Sequence, residues 1–361
     1  MGSITGEIIK ISLFGESHGE AIGMVIDNLP NGIKLDLAFI DKELNKRKPQ
    51  GDISTSRKEK DQVEFLSGLY NGFTTGTPLA FIIKNENTNS SDYSPNIPRP
   101  SHADLVAQIK YNGYQDYRGG GHFSGRLTAG LVVLGAICKQ ILKDKGIYIA
   151  SHIKQIHQVE DDEFSKDDIF SQINDLNEKY FAVINDTKAT LMKEEIYLAK
   201  QRGDSVGGII QTVIHGVKPG LGEPFFYSVE SKLSSLLFSI GGIKGVSFGD
   251  GFGFANSYGS EVKDELYYED EEIKYYANHN GGINGGISNG QDIIFQCVIK
   301  PTASIFIKQK SIDFVEKKNV DLKLQGRHDP CIVHRVRAVI DAVTAYAVLD
   351  LLMMNSARKL N

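Results

Sequence analysis

The sequence predicts an α+β protein in which helices and strands pack in layers, as one domain over residues 1–361. Short apolar or alternating segments are typical of strands at residues 8–14, 23–29, 81–83, 147–153, 206–217 and 293–299. Apolar residues recur at helical spacing over two longer segments, residues 124–145 and 334–354. No glycine cluster combines a preceding strand, GxGxxG spacing and a carboxylate about 20 residues later, so a Rossmann unit is not indicated. The spacing of the segments leaves the order of the layers open.

Composition and charge argue against two classes of function. A net charge of -5 argues against a nucleic-acid-binding protein, whose binding face is usually basic. The most apolar stretch, residues 127–138, lies between Arg126 and Lys139 and is too short to span a bilayer. The N-terminus lacks a basic region followed by an apolar run, and the cysteines form no disulfide framework or CxxC metal site. We therefore expect a soluble, cytoplasmic protein that contacts neither a membrane nor nucleic acid.

The N-terminal part of the chain alternates predicted strands with turns. The strand at residues 8–14 leads directly into the sequence GESHG, and the strand at residues 23–29 ends at a Pro-Asn-Gly turn signal. Asp36 is expected to cap a short helix that ends before Pro49, because proline cannot continue a helix. Residues 51–61 and 84–100 are polar and are expected to be loops.

Further helices are expected between the glycine-rich segments. Ser101 is expected to cap a helix that continues to Lys110, and another helix is expected at residues 228–240. Residues 154–200 are charged and poor in glycine, which indicates a more variable region of peripheral helices. Residues 260–277 are acidic and rich in tyrosine with little apolar periodicity, so we predict a mobile acidic loop there.

One stretch, RGGGHFSGR from Arg118 to Arg126, combines the features of an anion site. Three consecutive glycines permit positive φ angles and let a ligand approach the backbone. Ser124 is expected to cap the long helix that follows, whose N-terminus would offer unpaired N–H groups to an anion such as phosphate. The two arginines carry guanidinium groups that match phosphate oxygens. The alternative is a glycine turn flanked by two solvated arginines.

Three histidines are candidates for a general acid, because imidazole titrates near neutral pH. His18 lies in a tight loop after a strand, His102 lies just before a predicted helix, and His122 lies in the glycine-rich stretch. Asp104 or Glu16 could orient one of them. The alternative for each histidine is a structural role with satisfied hydrogen bonds.

Two polar clusters in the C-terminal third add cations and hydroxyls. The segment from Lys300 to Ser304 follows a strand, and the sequence RHDPC around Asp329 precedes the last helix. The alternative role of Asp329 is to start that helix, and Arg335 and Arg337 are expected to be solvated or paired. These residues indicate an enzyme-like protein with an anion site assembled from several loops, without indicating a reaction.

Taken in order, these segments resemble the chorismate synthase family over almost the full length of the chain. The N-terminal motifs are FGESHG at residues 14–19, DQVEFLSG at 61–68, RPSHAD at 99–104 and DYRGGG at 116–121. The later motifs are GDSVG at 203–207, GLGEP at 220–224, KGV at 244–246, GDGF at 249–252, GGINGGISNG at 281–290, KPT at 300–302 and GRHDPC at 326–331. Each motif alone could arise by chance, whereas the ordered set is specific.

The resemblance implies a fold, a reaction and a cofactor. The family's fold is a β-α-β sandwich, with core helices between two antiparallel sheets, assembled as a homotetramer. Its members are carbon–oxygen lyases that eliminate phosphate from 5-enolpyruvylshikimate 3-phosphate in an anti-1,4 sense, giving chorismate at the end of the shikimate pathway to aromatic amino acids. They require reduced FMN (FMNH2) without net redox change. NADPH is expected to act indirectly, through an external flavin reductase, because no dinucleotide fingerprint is present.

The resemblance also implies roles for individual positions. His18 would assist the leaving phosphate, and His102 would protonate or hold the reduced flavin. Asp329, with Ser17 and Ser124, would manage the proton at the flavin nitrogen that faces the substrate. The positions implied in cofactor binding are His122, Phe123, Ser124, Gly241, Gly242, Gly285, Lys300, Pro301, Thr302, Ala303, Ser304 and Arg327. Those implied in substrate binding are Arg47, Lys48, Arg57, Arg118, Arg126 and Arg335, and no metal is implied.

The chain departs from the family's usual pattern at three places. His122 and Phe123 stand where many members have Arg-Ser, Gly241-Gly242 replaces an Asn-Ala pair, and Lys48 stands where arginine is common. We hypothesise that Phe123 packs on the flavin or its neighbours and that His122 partly replaces the arginine. Two alternatives to the elimination remain. One is a flavin oxidoreductase that transfers a hydride to a small acid, and the other is a phospho-metabolite sensor without catalytic activity.

Overall fold

The computed structural model describes residues 2–54, 60–86, 94–324, 326 and 328–357. The strands in these ranges are β1 (Ile4–Thr5), β2 (Lys10–Gly15), β3 (Ala21–Asp27), β4 (Val63–Ser67), β5 (Leu69–Tyr70), β6 (Phe73–Thr74), β7 (Leu79–Lys84), β8 (Tyr148–Ile156), β9 (Val159–Glu160), β10 (Gly208–His215), β11 (Ile243–Phe248), β12 (Leu266–Glu269), β13 (Glu272–Tyr275), β14 (Ile283–Asn284), β15 (Ile287–Ser288), β16 (Ile293–Ile299), β17 (Gln309–Asp313) and β18 (Lys318–Leu322). The helices are α1 (Leu37–Arg47), α2 (Asp104–Lys110), α3 (Thr128–Lys143), α4 (Ile169–Glu178), α5 (Asp186–Gln201), α6 (Val229–Leu237) and α7 (Val333–Ala357).

Ten of these strands form two antiparallel sheets. The first sheet has the order β1-β2-β3-β7-β4, and the second has the order β11-β16-β10-β8-β9. Each neighbouring pair in both sheets is antiparallel. The remaining strands pair as four short two-stranded hairpins.

Helices α1, α3 and α7 lie between the two sheets. Helix α3 packs against α1 and α7 and contacts both sheets, at β3 and at β8. Helices α3 and α7 approach closely at Gly135, where a Cβ would stand 2.2 Å from the Cα of Ala342. Both helices are buried over most of their length, which is why their apolar residues are not confined to one stripe. The predicted β-α-β sandwich of the α+β class is confirmed.

The prediction that the most apolar segment is too short to span a bilayer is wrong. The helical segment Gly125–Lys143 is long and apolar enough, by length and composition, to cross a bilayer, whereas residues 127–138 alone are not. In this fold 72% of its apolar window is buried inside the protein. The apolarity of the segment therefore reflects its place in the core, between the sheets.

Most other predicted elements are confirmed, with small shifts at their ends. The Asp36 carboxylate caps α1 by accepting a hydrogen bond from the Phe39 N–H at 3.0 Å, and α1 ends before Pro49. The predicted helix at residues 228–240 is α6, which Ser228 caps in the same way. The charged region at residues 154–200 contains α4 and α5, and β16 begins and ends where predicted.

Among the local predictions, those for Ser101 and for residues 260–277 are wrong. Ser101 does not cap α2: its φ is 61°, and the helix begins at Asp104 with Ala103 as its N-cap residue. Residues 260–277 are not simply a loop, because they contain the hairpin of β12 and β13. Leu266 and Tyr268, on one face of that hairpin, are both exposed. Because that face is not buried, the sequence lacks the alternation of apolar and polar residues from which strands are predicted.

Candidate active site

The loop that carries Ser17 and His18 is fixed by hydrogen bonds to its backbone. This serine–histidine loop (residues 16–19) connects β2 to β3. The side-chain amide of Asn85 donates to the carbonyl oxygens of Glu16 at 3.0 Å and Gly19 at 2.9 Å. The Ser17 N–H donates to the carbonyl of Gly121 at 3.1 Å. The serine–histidine loop is therefore held against the glycine-rich stretch, and 104 positions separate Ser17 from Gly121.

The glycine loop (residues 119–121) receives two histidines. Its three φ angles are 62°, 83° and 53°, a conformation that L side chains rarely adopt. A Cβ on Gly119 would stand 2.7 Å from Nε2 of His18, and a Cβ on Gly120 would stand 3.3 Å from Cε1 of His102. Two of the three histidines predicted as general acids therefore approach neighbouring glycines of one loop.

Ser17 carries a buried hydroxyl to which no described residue hydrogen-bonds. The residue is fully buried, and its Oγ has no hydrogen-bond partner among the described residues. A buried unsatisfied polar group costs about 1–3 kcal/mol. The same Oγ would stand 2.9 Å from a Cβ on Gly119, so it lies beside the imidazole of His18. This arrangement fits a ligand oxyanion that accepts hydrogen bonds from both groups.

His102 forms a tight cluster with Asp104 and Arg99. Its Nδ1 lies 2.6 Å from Oδ1 of Asp104, and the Arg99 guanidinium donates to both oxygens of that carboxylate at 2.8 Å. Arg99 also reaches Oγ of Ser304 at 3.1 Å. Burial alone would raise the pKa of Asp104, but hydrogen bonds from Arg99 and His102 hold it well below its usual value. The sequence prediction missed Arg99, for which the RPSHAD motif was the available signal.

Two of the predicted substrate-binding arginines, Arg47 and Arg126, are buried around Asp61. Arg126 pairs with this carboxylate, and Nη1 of Arg47 lies 3.5 Å from it. Burial would raise the pKa of Asp61, but the two guanidinium groups lower it. Arg126 also donates to Oδ1 of Asn85 at 2.8 Å, and Arg47 donates to the Gly125 carbonyl at 2.8 Å. Both arginines therefore brace the loops around the site.

Residues from the C-terminal third complete the site. Arg335 pairs with Asp329 and donates from Nε to the carbonyl of Arg47 at 2.9 Å. The Thr302 hydroxyl donates to the carbonyl of Asp329 at 2.9 Å. A cavity of about 310 Å³ opens here, and Ser54, Ser304 and Asp329 are among its lining residues. Ser304, which accepts a hydrogen bond from Arg99, connects this cavity to the His102 cluster.

Lys300 and Gly242 lie next to each other in this site. The Lys300 N–H donates to the carbonyl of Gly242 at 2.9 Å, and its Nζ donates to the carbonyl of Ser101 at 2.6 Å. The second contact connects the 300–304 segment, which includes Pro301 and Ala303, to the residue before His102. Gly241 is exposed beside Gly242.

Three predicted cofactor-binding residues make other contacts. His122 Nδ1 donates to the carbonyl of Gly15 at 2.9 Å, and Nε2 lies 2.9 Å from Oγ of Ser3. Phe123 packs against Tyr111, with ring centroids 6.3 Å apart. Gly285 lies in the turn of the β14–β15 hairpin, which adjoins the start of α6. Their roles in cofactor binding stay predictions.

The remaining predicted residues are spread around the glycine-rich stretch. The prediction that Ser124 caps the long helix is wrong: α3 has Leu127 as its N-cap residue, and Ser124 instead caps the short turn before it by accepting from the Arg126 N–H at 3.3 Å. Arg118 is exposed and holds Asp116 through two hydrogen bonds of 2.8 Å, which lower the pKa of that carboxyl. Lys48 donates to the carbonyl of Lys60 at 2.7 Å. Arg57 and Arg327 lie outside the described residues.

Comparisons with known proteins agree over nearly the whole chain. A family model described as chorismate synthase matches residues 9–353. Chorismate synthase of Pyrococcus abyssi is 44% identical over 352 residues, covering 96% of this chain and 97% of that protein. Chorismate synthase of Parabacteroides distasonis is 44% identical over 358 residues, covering 98% of each. A crystal structure of chorismate synthase matches with a TM-score of 0.76 at 27% identity, covering 97% of this chain and 93% of the other.

Proposed function

The chain belongs to the chorismate synthase family, and we propose that it eliminates phosphate from 5-enolpyruvylshikimate 3-phosphate to give chorismate. The observation that carries this proposal is the position of His18 and His102 against neighbouring glycines of one loop. The hydroxyl of Ser17, which has no partner within the described ranges, lies beside His18. This geometry supports a site that receives a phosphate group and can transfer a proton to it.

The serine–histidine loop would act on the leaving phosphate. His18 in its protonated form would donate to a phosphate oxygen as the carbon–oxygen bond breaks, and Ser17 would donate its unused hydroxyl hydrogen. The electron pair of the broken carbon–oxygen bond leaves with the phosphate. The ring hydrogen would leave as a proton, which Asp329, with Ser17 and Ser124, would carry away, and the electron pair of that carbon–hydrogen bond supplies the new double bond. The overall reaction therefore involves no net redox change.

The residues around His102 suit an anionic flavin. Lys300 supplies a cation, and Thr302 and Ser304 supply hydroxyls, in a segment tied to the His102 cluster through Arg99. When bound there, reduced FMN would supply an electron transiently and recover it. His102 would hold or protonate the reduced ring through Nε2, and Asp329, with Ser17 and Ser124, would handle the proton at the flavin nitrogen facing the substrate.

The cations have two different tasks in this proposal. Arg47 and Arg126 share the buried carboxylate of Asp61 and keep the loops in place. Arg118 is exposed and Lys48 is partly exposed. Both would contact the phosphate and carboxylates of the substrate by exchanging their present partners, Asp116 and the Lys60 carbonyl, and so would Arg335, which pairs with Asp329. Arginine would bind a carboxylate through two parallel hydrogen bonds, whereas Lys48 offers a point charge.

We also propose a cytoplasmic homotetramer that receives reduced flavin from a separate NADPH-dependent reductase. The absence of a dinucleotide fingerprint from the sequence supports the separate reductase. Light scattering would test the tetramer. NADPH consumption by the purified protein with oxidised FMN would argue for an intrinsic reductase instead.

An anaerobic assay tests the proposed reaction. The protein is mixed with 5-enolpyruvylshikimate 3-phosphate and chemically reduced FMN, and phosphate release and chorismate absorbance are followed together. Equal amounts of both products, with the flavin still reduced at the end, would support the elimination. Net oxidation of the flavin would favour the oxidoreductase, and binding without phosphate release would favour the sensor.

Histidine variants identify the site in the same assay. We expect His18→Asn and His102→Asn each to lower turnover by about 100- to 10,000-fold, the usual contribution of a general acid or base. His215→Asn is the matched control. His215 pairs with Asp292 at 2.7 Å at the far end of β10 from the 300–304 segment, and its loss should leave turnover unchanged.

A further inference from the structure

The hydrogen-bond partners of His102 determine which ring nitrogen carries hydrogen. Oδ1 of Asp104 lies 2.6 Å from Nδ1, and Nη2 of Arg99 lies 3.0 Å from the same nitrogen. An ionised carboxylate only accepts hydrogen bonds, and a guanidinium only donates them. Nδ1 cannot both accept from Arg99 and donate to Asp104, and the shorter contact is the one to the carboxylate. Nδ1 therefore carries the hydrogen.

The opposite nitrogen is the one that faces the glycine loop. A Cβ on Gly120 would stand 3.3 Å from Cε1 and 3.7 Å from Nε2 of His102. With Nδ1 protonated, Nε2 of the neutral ring is an acceptor, and it becomes a donor only when the ring is charged. The ring can therefore take up and release a proton at Nε2, on the side of the loop.

The carboxylate of Asp104 is itself held in place. It accepts hydrogen bonds from Nε, Nη2 and the backbone N–H of Arg99, the last at 3.0 Å. The third guanidinium nitrogen of Arg99 donates to Oγ of Ser304. A carboxylate that accepts from one ring nitrogen and is itself held by other donors fixes the tautomer and the orientation of a histidine in many enzyme and metal sites.

We propose that Asp104, held by Arg99, is the positioning residue that fixes His102 in the Nδ1–H tautomer with Nε2 turned towards the glycine loop. The catalytic part of this inference rests on the proposed function. The structural part does not, because the tautomer is a property of the protein without substrate or flavin. Ser304 links this cluster to the 300–304 segment, so both sides of the proposed flavin site share one hydrogen-bond network.

Solid-state NMR of the full chain labelled with nitrogen-15 histidine tests the tautomer directly. The His102 signals are assigned by their loss in His102→Gln, and spectra are recorded at alkaline pH without ligands. We expect a protonated Nδ1 and an unprotonated Nε2 in the unmodified protein. A protonated Nε2 in the neutral ring would overturn the proposal without bearing on the reaction.

Substitution of the carboxylate tests the positioning role. In Asp104→Asn, the amide oxygen should take the position that accepts from Arg99, so the amide nitrogen would face Nδ1 of His102. Because an amide nitrogen only donates, Nδ1 would have to accept, and the tautomer should reverse. We expect kcat to fall about 100-fold or more, while KM for the phosphorylated substrate stays within about threefold. Asp104→Glu should restore part of kcat. Unchanged turnover in a folded Asp104→Asn with a reversed tautomer would overturn the positioning role.

Asp36→Asn is the matched control. Asp36 also lies at a helix start, where its carboxylate accepts from the Phe39 N–H. We expect this variant to leave the His102 signals and the turnover unchanged. If the unmodified protein shows the Nδ1–H tautomer yet releases no phosphate, the proposed function fails while the tautomer assignment stands.

Discussion

Gly119 lies so close to His18 that a Cβ on its α-carbon would stand 2.7 Å from Nε2 of the imidazole. The same atom would stand 2.9 Å from Oγ of Ser17, and φ at Gly119 is +62°. Glycine alone meets both demands, because it tolerates positive φ and has no side chain to collide. The contact between the two loops therefore depends on this residue.

Gly119→Ala is expected to displace His18 and to lower turnover by about 100-fold. A displacement of about 1 Å in a reacting group can cost that much. The positive φ should add a loss of about 1–2 kcal/mol in the free energy of unfolding. Steady-state turnover and urea denaturation measure the two effects separately.

Gly72→Ala separates the backbone effect from the contact with His18. Gly72 has φ of +81° in the turn between β5 and β6, and a Cβ there would have no atom of the described residues within 4 Å beyond its immediate chain neighbours. We expect a similar loss of stability and no loss of turnover. An equal loss of turnover in both variants would show that the contact with His18 is irrelevant.

Asn85→Ala is expected to release the serine–histidine loop. The substitution removes the donors to the carbonyls of Glu16 and Gly19 and an acceptor for Nε of Arg126. We expect a loss of about 1–3 kcal/mol in the free energy of unfolding, because a charged donor loses a partner. Turnover should fall at least tenfold, and hydrogen exchange at residues 16–19 should become faster.

Asn177→Ala is the control for that variant. Asn177 also donates from its amide to a backbone carbonyl, that of Ile149, at 3.1 Å in the second sheet. Its loss should destabilise the protein without changing hydrogen exchange at residues 16–19. If exchange there is unchanged in Asn85→Ala as well, Asn85 does not hold the loop.

Local signals explain what could be predicted from the sequence. Asp36 was identified as a helix cap because a cap and its helix are neighbours in the chain. The glycine loop and the histidines were identified by their own sequences. His18 and His102 meet at the glycine loop because separate segments of the chain pack together. The order of the motifs implied this packing only through the family resemblance.

The residues that were missed have partners far away in the chain. Asn85 hydrogen-bonds Arg126, and Arg99 hydrogen-bonds Ser304, more than 200 residues away. No periodicity marks such pairs. Arg337 was expected to be solvated or paired; it is paired with Asp341, but it is fully buried in α7. A charge in a core helix cannot be recognised until its partners are known.

Glu43→Gln is expected to destabilise the protein by about 3–5 kcal/mol, the usual cost of removing one partner from a buried ion pair. Glu43 is buried with Lys46 and lies 2.7 Å from Nζ of Lys139. Burial would raise its pKa, but the two ammonium groups lower it to about 2. Urea denaturation at neutral pH measures the loss.

The pH dependence of Glu43 has a defined direction. The unfolded chain takes up a proton near the ordinary pKa of 4.5, before the folded protein does, so stability should fall as the pH decreases from 4.5 towards 2. Glu43→Gln should show less of this fall.

Glu178→Gln is the control for the loss of stability in Glu43→Gln. It removes an exposed partner of Lys42 and should lower the free energy of unfolding by less than about 1 kcal/mol. Equal costs in the two variants would contradict the role of the buried network.

His334→Gln is expected to make the protein less sensitive to mild acid. His334 is fully buried and lies 2.8 Å from Oγ of Ser54, while its Nδ1 has no partner in the part of the chain that the structure describes. Burial, with smaller effects from Arg335 and Arg337, lowers its pKa to about 3. The unfolded chain binds a proton near 6.5, so the folded protein loses stability as the pH falls from 6.5 towards 3. This group alone should cost about 2 kcal/mol at pH 5 relative to neutral pH. Urea denaturation at both pH values should show a difference smaller by that amount in His334→Gln, and an unchanged difference would mean that His334 is protonated in the folded state.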